Sequence, residues 1–167
     1  MATGWAGDGA VQDQIDATVK DALVRDDSVS GVMAVWGDIT DALVGIGAME
    51  PSPLLAASGN GVTDAERAQL RELGAVGDIS FRYYDADGRV VSSSLDQRVM
   101  GISAEQFFTI PRRIAVSGGD EKLDAVRGAL RGGWINVLIT DRTLAQQLVD
   151  VRGEPDESAD GPGQPTR

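Results

Sequence analysis

The 167-residue chain contains no cysteine and no histidine. Without cysteine it has no disulfide, no thiolate nucleophile and no cysteine-ligated metal; without histidine it lacks the commonest general base and the commonest metal ligand. Most hydrolase and metalloenzyme chemistries are thereby removed, and no metal or other cofactor is expected. Aromatic residues make up only 5% of the chain, and none is interleaved with bases in a way that suggests stacking on nucleotides. Basic residues are also in deficit: 15 Lys and Arg against 26 Asp and Glu leave a formal net charge of -11. A phosphate backbone would be repelled, so this chain by itself is not expected to bind DNA. No apolar run approaches the ~18 residues of a membrane span, and Met1 to Ala10 has neither a basic stretch nor an apolar segment of the export type. A cytoplasmic protein with no membrane contact is the expectation.

What is present suffices for one folded domain: 42% hydrophobic and 25% charged residues in a chain of this length can build a single core. The last stretch, 153–167, holds three prolines, three glycines and the acids Glu154, Asp156, Glu157 and Asp160. It cannot bury enough apolar surface to offset the entropy of ordering and reads as a disordered acidic tail. Residues 1–10, rich in glycine and alanine, read as loose. The folded part is therefore expected over 11–152.

Ile15, Val19, Ala22 and Leu23 recur at helical spacing, and Val29 to Trp36 predicts a second short helix capped by Ser28 or Asp27. Asp41 to Gly47 predicts a buried strand turning sharply at its glycines. Thr63 and Glu66 stand at capping-box spacing before a helix over 64–73 that turns Leu70 and Leu73 inward and stops at Gly74. Segments 79–84 and 89–93 flank Asp85-Ala-Asp-Gly88 and predict a β-hairpin. Ser103 and Gln106 mark another capping box, and Pro111 closes that helix. From Arg113 onward a strand, a helix over 120–130, a strand over 135–140 and a helix over 141–149 alternate. The strands are nearly continuous in apolar residues, which predicts an open α/β fold with a mainly parallel sheet covered on both faces.

In such sheets ligands bind beyond the carboxyl ends of strands. The glycine clusters Gly45-Ile46-Gly47, Gly77 before Asp78, and Gly118-Gly119 lie at such places. A strand that runs into Gly118-Gly119 and a helix start allows backbone N–H groups to approach an anion, with Lys122 adding charge. The same residues also fit a tight turn with Asp120 as cap and Lys122 solvated; pattern alone leaves both readings open, and neither nucleotide fingerprint, GxxxxGK[ST] nor GxGxxG, is present. Asp78 is placed either to accept hydrogen bonds from sugar hydroxyls or to cap a loop. Arg98, Arg112 and Arg113 are candidate anion contacts or ordinary surface charges. Tyr83, Tyr84, Phe107 and Phe108 are expected in the core or at subunit contacts. Asp85 and Asp87 fit a hairpin turn better than a metal loop, because the EF-hand pattern is not completed.

Taken in order, Gly74-Ala-Val-Gly-Asp-Ile79, Tyr83-Tyr-Asp-Ala-Asp-Gly88, Arg98-Val-Met-Gly-Ile-Ser103, Ile110-Pro111, Ile114-Ala-Val-Ser-Gly-Gly-Asp-Glu-Lys122, Ala125 and Ile135-Asn-Val-Leu-Ile-Thr-Asp141 strongly resemble the C-terminal sugar-binding domain of SorC-type (SorC/DeoR-like) bacterial transcriptional regulators. The resemblance takes in Asp41 to Gly47 and covers roughly 17–149. It implies a Rossmann-like fold akin to sugar-phosphate isomerases and glucosamine-6-phosphate deaminases, and an effector-sensing role with a phosphorylated sugar or sugar acid as ligand. By that resemblance Lys122 corresponds to a phosphate-contacting lysine, Gly118 and Gly119 to its loop, and Asp78 to the acid that meets sugar hydroxyls. Two departures stand out: Leu55 to Gly59 lacks the basic residue common there, and the helix-turn-helix and the first strand with its Gly/Thr-rich phosphate loop have no counterpart ahead of Val11. The expectation is an N-terminally truncated effector domain, assembled as a homo-oligomer or paired with a full-length paralogue. The alternatives are a sugar-phosphate isomerase or deaminase, for which Asp78 or Glu121 would have to act as base, and an oligomerisation remnant that binds nothing.

Overall fold

The structure is a computed structural model and describes residues 17–50 and 62–150. The expectations for the loose N-terminus, the acidic tail and the Leu55 to Gly59 segment lie outside the described residues.

Two short helices come first, α1 (Ala17–Val24) and α2 (Asp27–Ala34). The cap of α2 is Asp26, one or two residues ahead of those expected; its carboxylate accepts from the N–H groups of Ser28 at 2.9 Å and Val29 at 3.3 Å. An aspartate side chain is short enough to reach those two otherwise unpaired donors, and that fixes the helix start. A 3-10 turn, Val35–Asp38, then delivers the chain to β1 (Asp41–Gly45).

The strands form two sheets. One is parallel, built from β1, β6 (Arg112–Val116) and β7 (Val137–Ile139) in the order β1-β6-β7. The other is antiparallel, built from β2 (Gly47–Ala48), β3 (Ala75–Ile79), β4 (Arg82–Asp85) and β5 (Val90–Val91) in chain order. The Asp85 to Gly88 turn forms as expected: the Asp85 carboxylate accepts from the N–H groups of Asp87 and Arg89, and Gly88 takes a φ of 79°. Segment 79–84, however, is not one strand. It breaks at Ser80 and Phe81, with φ of 53° and 59°, into a second tight turn between β3 and β4. Two successive positive φ values suit the right-handed twist of a hairpin, but Ser-Phe carries none of the Gly or Asn signals that announce one.

Both expected capping boxes form. Thr63 and Glu66 open α3 (Asp64–Glu72), and Ser103 and Gln106 open α4 (Ala104–Thr109). Leu70 is fully buried, whereas Leu73, expected inward, is half exposed because it sits past the last turn of α3. After β6 come a 3-10 turn (Asp120–Lys122), α5 (Leu123–Arg131), β7 and α6 (Arg142–Asp150).

The main core lies between the two sheets and these helices. Trp134 is fully buried and packs at 5.2 Å from Tyr84, 6.1 Å from Phe107 and 4.8 Å from Phe108, while its indole N–H donates to the Gly88 carbonyl at 2.8 Å. Of the four aromatics assigned to core or contacts, Tyr83, Tyr84 and Phe107 are buried and Phe108 is partly exposed.

The parallel sheet departs from expectation in its cover. Alternate residues of a strand point to opposite faces, and residues paired across a parallel ladder share a face. One face carries Ala42, Val44, Ala115 and Leu138, all packed into the core with Ile110, Val126 and Leu144. The opposite face carries Leu43, Ile114, Val116, Val137 and Ile139. Leu43 is 71% exposed, Val116 51% and Ile139 54%. Among the described residues the sheet is covered on one face only, and β1 is a half-exposed edge strand rather than a buried one.

Candidate functional site

The carboxyl ends of the parallel strands meet the antiparallel sheet at β2. Gly45 ends β1, Ile46 is buried, and Gly47 opens β2 opposite Asp78 of β3. This corner brings the predicted residues together. The Lys122 ammonium, presented by the 3-10 turn ahead of α5, donates to the Ile46 carbonyl at 3.0 Å and exerts its charge on Asp78. Asp78 Oδ2 accepts from the Phe81 N–H at 3.0 Å. Asp78 thus serves the turn as a cap and also stands beside the lysine; the two readings are not exclusive.

Part of Asp78 reaches the surface, but its carboxyl group is enclosed. Burial pushes its pKa above the usual carboxylate range, against the opposing pull of the Phe81 N–H and the Lys122 charge. The neighbouring Tyr84 hydroxyl donates to the Ala125 carbonyl at 3.0 Å, and burial, followed by the Asp78 charge, keeps it protonated far above the ordinary tyrosine range. Room for the Asp78 carboxylate exists only because residue 47 is glycine: a Cβ there would lie 1.9 Å from Asp78 Oδ1. Gly47 belonged to a recognised glycine cluster, but its partnership with Asp78 depends on the β2–β3 register, 31 residues apart in the chain, and no local pattern announces that.

The Gly118-Gly119 loop leaves β6 on the same side. Gly119 has a φ of 97°, in the region that favours glycine, and no side chain caps the following turn, so Asp120 is not the N-cap. The loop is held from elsewhere. Asp141, between β7 and α6, accepts from the Gly119 N–H at 2.8 Å through Oδ2 and from the Leu144 N–H at 2.9 Å through Oδ1. These two backbone donors, Leu144 first, hold its carboxyl below the usual range. A Cβ on Gly118 would meet Asp141 Oδ2 at 2.7 Å. Asp141 escaped the sequence reading as a site residue, although an Asp between an apolar strand and a helix is a recognisable cap signal. Its presence means that one N–H of the supposed anion cradle already has a carboxylate partner. Next to the loop, the hydroxyls of Ser117 and Thr140 are buried with no hydrogen-bond partner among the described residues.

The arginines do not join this corner. Arg112 and Arg113 lie at the opposite end of β6: Arg112 pairs with Asp41 at 3.4 Å, and Arg113 donates to the carbonyls of Phe108, Gly133 and Trp134 at 3.1 Å and to that of Ile110. Arg98 is joined to Glu66. Arg82, buried and unremarked in the sequence, binds Asp96 at 3.1 Å and the carbonyls of Ile102 and Gly101. Each of these guanidinium groups ties elements together.

The corner therefore offers one tethered ammonium, one enclosed carboxyl able to accept hydrogen bonds and a glycine loop at strand ends. Residues 12–150 match the protein family described as "Putative sugar-binding domain". The chain belongs to the sugar-binding domain family of SorC/DeoR-type transcriptional regulators. Among curated relatives, the deoxyribonucleoside regulator of Bacillus subtilis (strain 168) is 33% identical over 135 residues, which is 81% of this chain and 42% of that protein. Among solved structures, the full-length sorbitol operon regulator SorC from Klebsiella pneumoniae matches with a TM-score of 0.73 and 25% identity, over 81% of this chain and 43% of the other. A DeoR family transcriptional regulator from Listeria monocytogenes matches with a TM-score of 0.74 and 26% identity, over 80% and 53%. The chain spans less than half the length of the curated relatives it matches, and the matched stretch is their C-terminal portion. These relatives are named as regulators. The fold shared with them is an α/β arrangement of a parallel three-stranded sheet with helices and a small antiparallel sheet. Among the described residues no helix is long and apolar enough to cross a membrane.

Proposed function

We propose that the chain binds a phosphorylated sugar or sugar acid as the effector-sensing part of a SorC/DeoR-type regulator, using Lys122, Gly118, Gly119 and Asp78, with no catalysis and no DNA contact of its own. The observation that carries this reading is the Lys122 ammonium, held on the Ile46 carbonyl, with its charge acting on the enclosed Asp78 carboxyl at the strand ends. An ammonium tethered by the Ile46 carbonyl keeps donors for an anion, and an enclosed carboxyl beside it accepts hydrogen bonds from hydroxyls. The two together suit a ligand that carries a phosphate or carboxylate at one end and hydroxyls along its length. Family membership supports the same class of ligand. The net charge of -11 supports the absence of direct DNA binding.

Calorimetric titration of the whole chain with a panel of sugar phosphates, sugar acids and the corresponding free sugars tests the reading. Heat is expected with an anionic sugar and not with its uncharged counterpart. Lys122→Ala should weaken binding at least about tenfold, or ~1.4 kcal/mol, the scale of one charge-assisted contact. No heat from any compound, or equal binding by Lys122→Ala, rejects it. The same preparations should leave the sugars chemically unchanged.

A further inference from the structure

We infer that Asp141 sets the affinity of the glycine loop for anions: its carboxylate is an internal competitor that an incoming anion must displace from the Gly119 N–H. The inference rests on the proposed placement of the ligand's anionic end at Gly118 and Gly119. In the structure that position is taken by the chain's own charge. The Gly119 N–H donates to Asp141 Oδ2 at 2.8 Å, and a Cβ on Gly118 would meet the same oxygen at 2.7 Å. A second carboxylate leans on the loop, since Glu121 Oε2 would lie 2.5 Å from a Cβ on Gly119. Two backbone donors hold Asp141 below the usual carboxylate range, so it keeps its charge at neutral pH. A carboxylate and a phosphate are alike as acceptors from a backbone N–H, and both compete for the one donor.

A plain brace for the loop would use the same bond, and the surrounding groups separate the two roles. Buried polar groups in a settled structure are nearly all paired. Here three unpaired ones gather on the segments that flank the loop: the hydroxyls of Ser117 and Thr140 and the Oε1 of Gln147 are buried with no hydrogen-bond partner among the described residues. Ser117 precedes the glycines and its N–H donates to the Ile139 carbonyl at 3.0 Å, which sets it beside Thr140, the residue before Asp141. Gln147, on α6, spends its amide nitrogen on Asp120 Oδ1 at 3.4 Å. Both hydroxyls can donate. A carboxylate that leaves Gly119 while keeping its bond to Leu144 is therefore served by its neighbours, and the loop has a second arrangement available in which an anion holds Gly119. Every anion bound bears the cost of that exchange, which gives the loop a concentration threshold.

Titration of the isotope-labelled whole chain with inorganic phosphate, followed by amide NMR, tests the inference. Asp141→Ser keeps an oxygen that caps α6 but is too short to reach Gly119, and Asp141→Asn keeps the shape without the charge. Both should bind phosphate more tightly than the wild type, by about three- to tenfold, with serine at the upper end. Asp150→Asn removes the same charge at the far end of α6 and should bind like the wild type. In the wild type, phosphate should move the Gly119 amide signal. A brace predicts the reverse order, with both Asp141 variants binding more weakly. The inference falls if the Asp141 variants bind phosphate no more tightly than the wild type, if none of the proteins binds it, or if phosphate moves Lys122 signals without moving Gly119. Far-UV circular dichroism checks each fold; should the serine variant lose it, the asparagine variant and the wild-type Gly119 signal decide. The probe carries no sugar, so the two readings fail separately. Tighter phosphate binding by the variants with no heat from any sugar compound upholds the competitor and rejects the sugar reading. Sugar-phosphate heat with variants that bind phosphate no better does the opposite.

Discussion

The two faces of the parallel sheet are made by the same three strands, yet they live in different surroundings. Along β6, Ala115 has no exposed surface while its neighbour Val116 is 51% exposed. One face is closed by α5, α6 and the buried aromatics around Trp134; the other has apolar side chains that no described element covers, with Leu43, Val116 and Ile139 exposed and Ile114 and Val137 half-buried. Both sides carry apolar residues, so composition is not what separates the packed face from the exposed one. Cover is. On the closed side each apolar group removed from water contributes about 25 cal/mol per Å² to folding, and on the open side the exposed groups contribute far less.

Substitutions on the two sides should therefore differ in kind as well as in size. Trp134→Ala is expected to have the largest effect: loss of a fully buried indole, its contacts with Tyr84, Phe107 and Phe108 and its bond to Gly88 should lower folding stability by about 3–5 kcal/mol. A urea titration would show the lowered midpoint, and an unchanged midpoint would mean that the closed side is not the stabilising one.

Asp78→Asn, where the closed side meets the antiparallel sheet, should act in the opposite direction and less strongly. Burial raises the Asp78 pKa in the folded state, so the proton is held more tightly there than in the unfolded chain. The stability linked to that proton is fully present below the unfolded pKa and is lost as pH rises through the folded value. A neutral amide avoids this loss while still accepting from the Phe81 N–H. Stability at neutral pH should rise on the order of 1 kcal/mol, and the gain should fade in acid. Parallel urea titrations at neutral and acid pH measure it; a gain that grows in acid would reverse the assignment. The variant should also lose sugar affinity.

On the open side, Leu43→Asp should change the stability of the single chain by less than about 0.5 kcal/mol, because Leu43 is already 71% exposed. A loss comparable to that of Trp134→Ala in dilute solution would show that this face is covered within the chain itself.

Legibility in the sequence followed the range of the interaction concerned. The capping boxes at Thr63/Glu66 and Ser103/Gln106 formed as read, because all their partners lie within three residues of chain. The Asp85 to Gly88 turn was equally plain, since its carboxylate binds its own backbone. The turn at Ser80-Phe81 was not, because its positive φ values are imposed by sheet pairing and by the Asp78 carboxylate rather than by residue type. Leu73 was misplaced because helical spacing continues past the point where Gly74 ends the helix. At the candidate site, Lys122 and Asp78 were singled out separately. Their meeting requires β2 and β3 to pair and Lys122 to reach Ile46, 76 positions away. Asp141 was invisible as a partner of the glycine loop for the same reason: it is 22 residues from Gly119.

By itself, then, the sequence determined the absence of cysteine and histidine chemistry, the acidic charge, the local caps and turns and the alternation of strand and helix that marks an α/β sheet, and its ordered motifs marked the family. These depend on composition or on neighbours a few residues apart, where the physics is that of short hydrogen bonds and side-chain periodicity. Only the tertiary structure decided which face of the parallel sheet is closed, which arginines are occupied in holding the fold, and that Lys122, Asp78 and Gly47 share one corner while Asp141 holds the loop beside them. Those outcomes depend on packing and register between segments distant in the chain, and an apolar strand looks the same in sequence whether or not a helix lies over it.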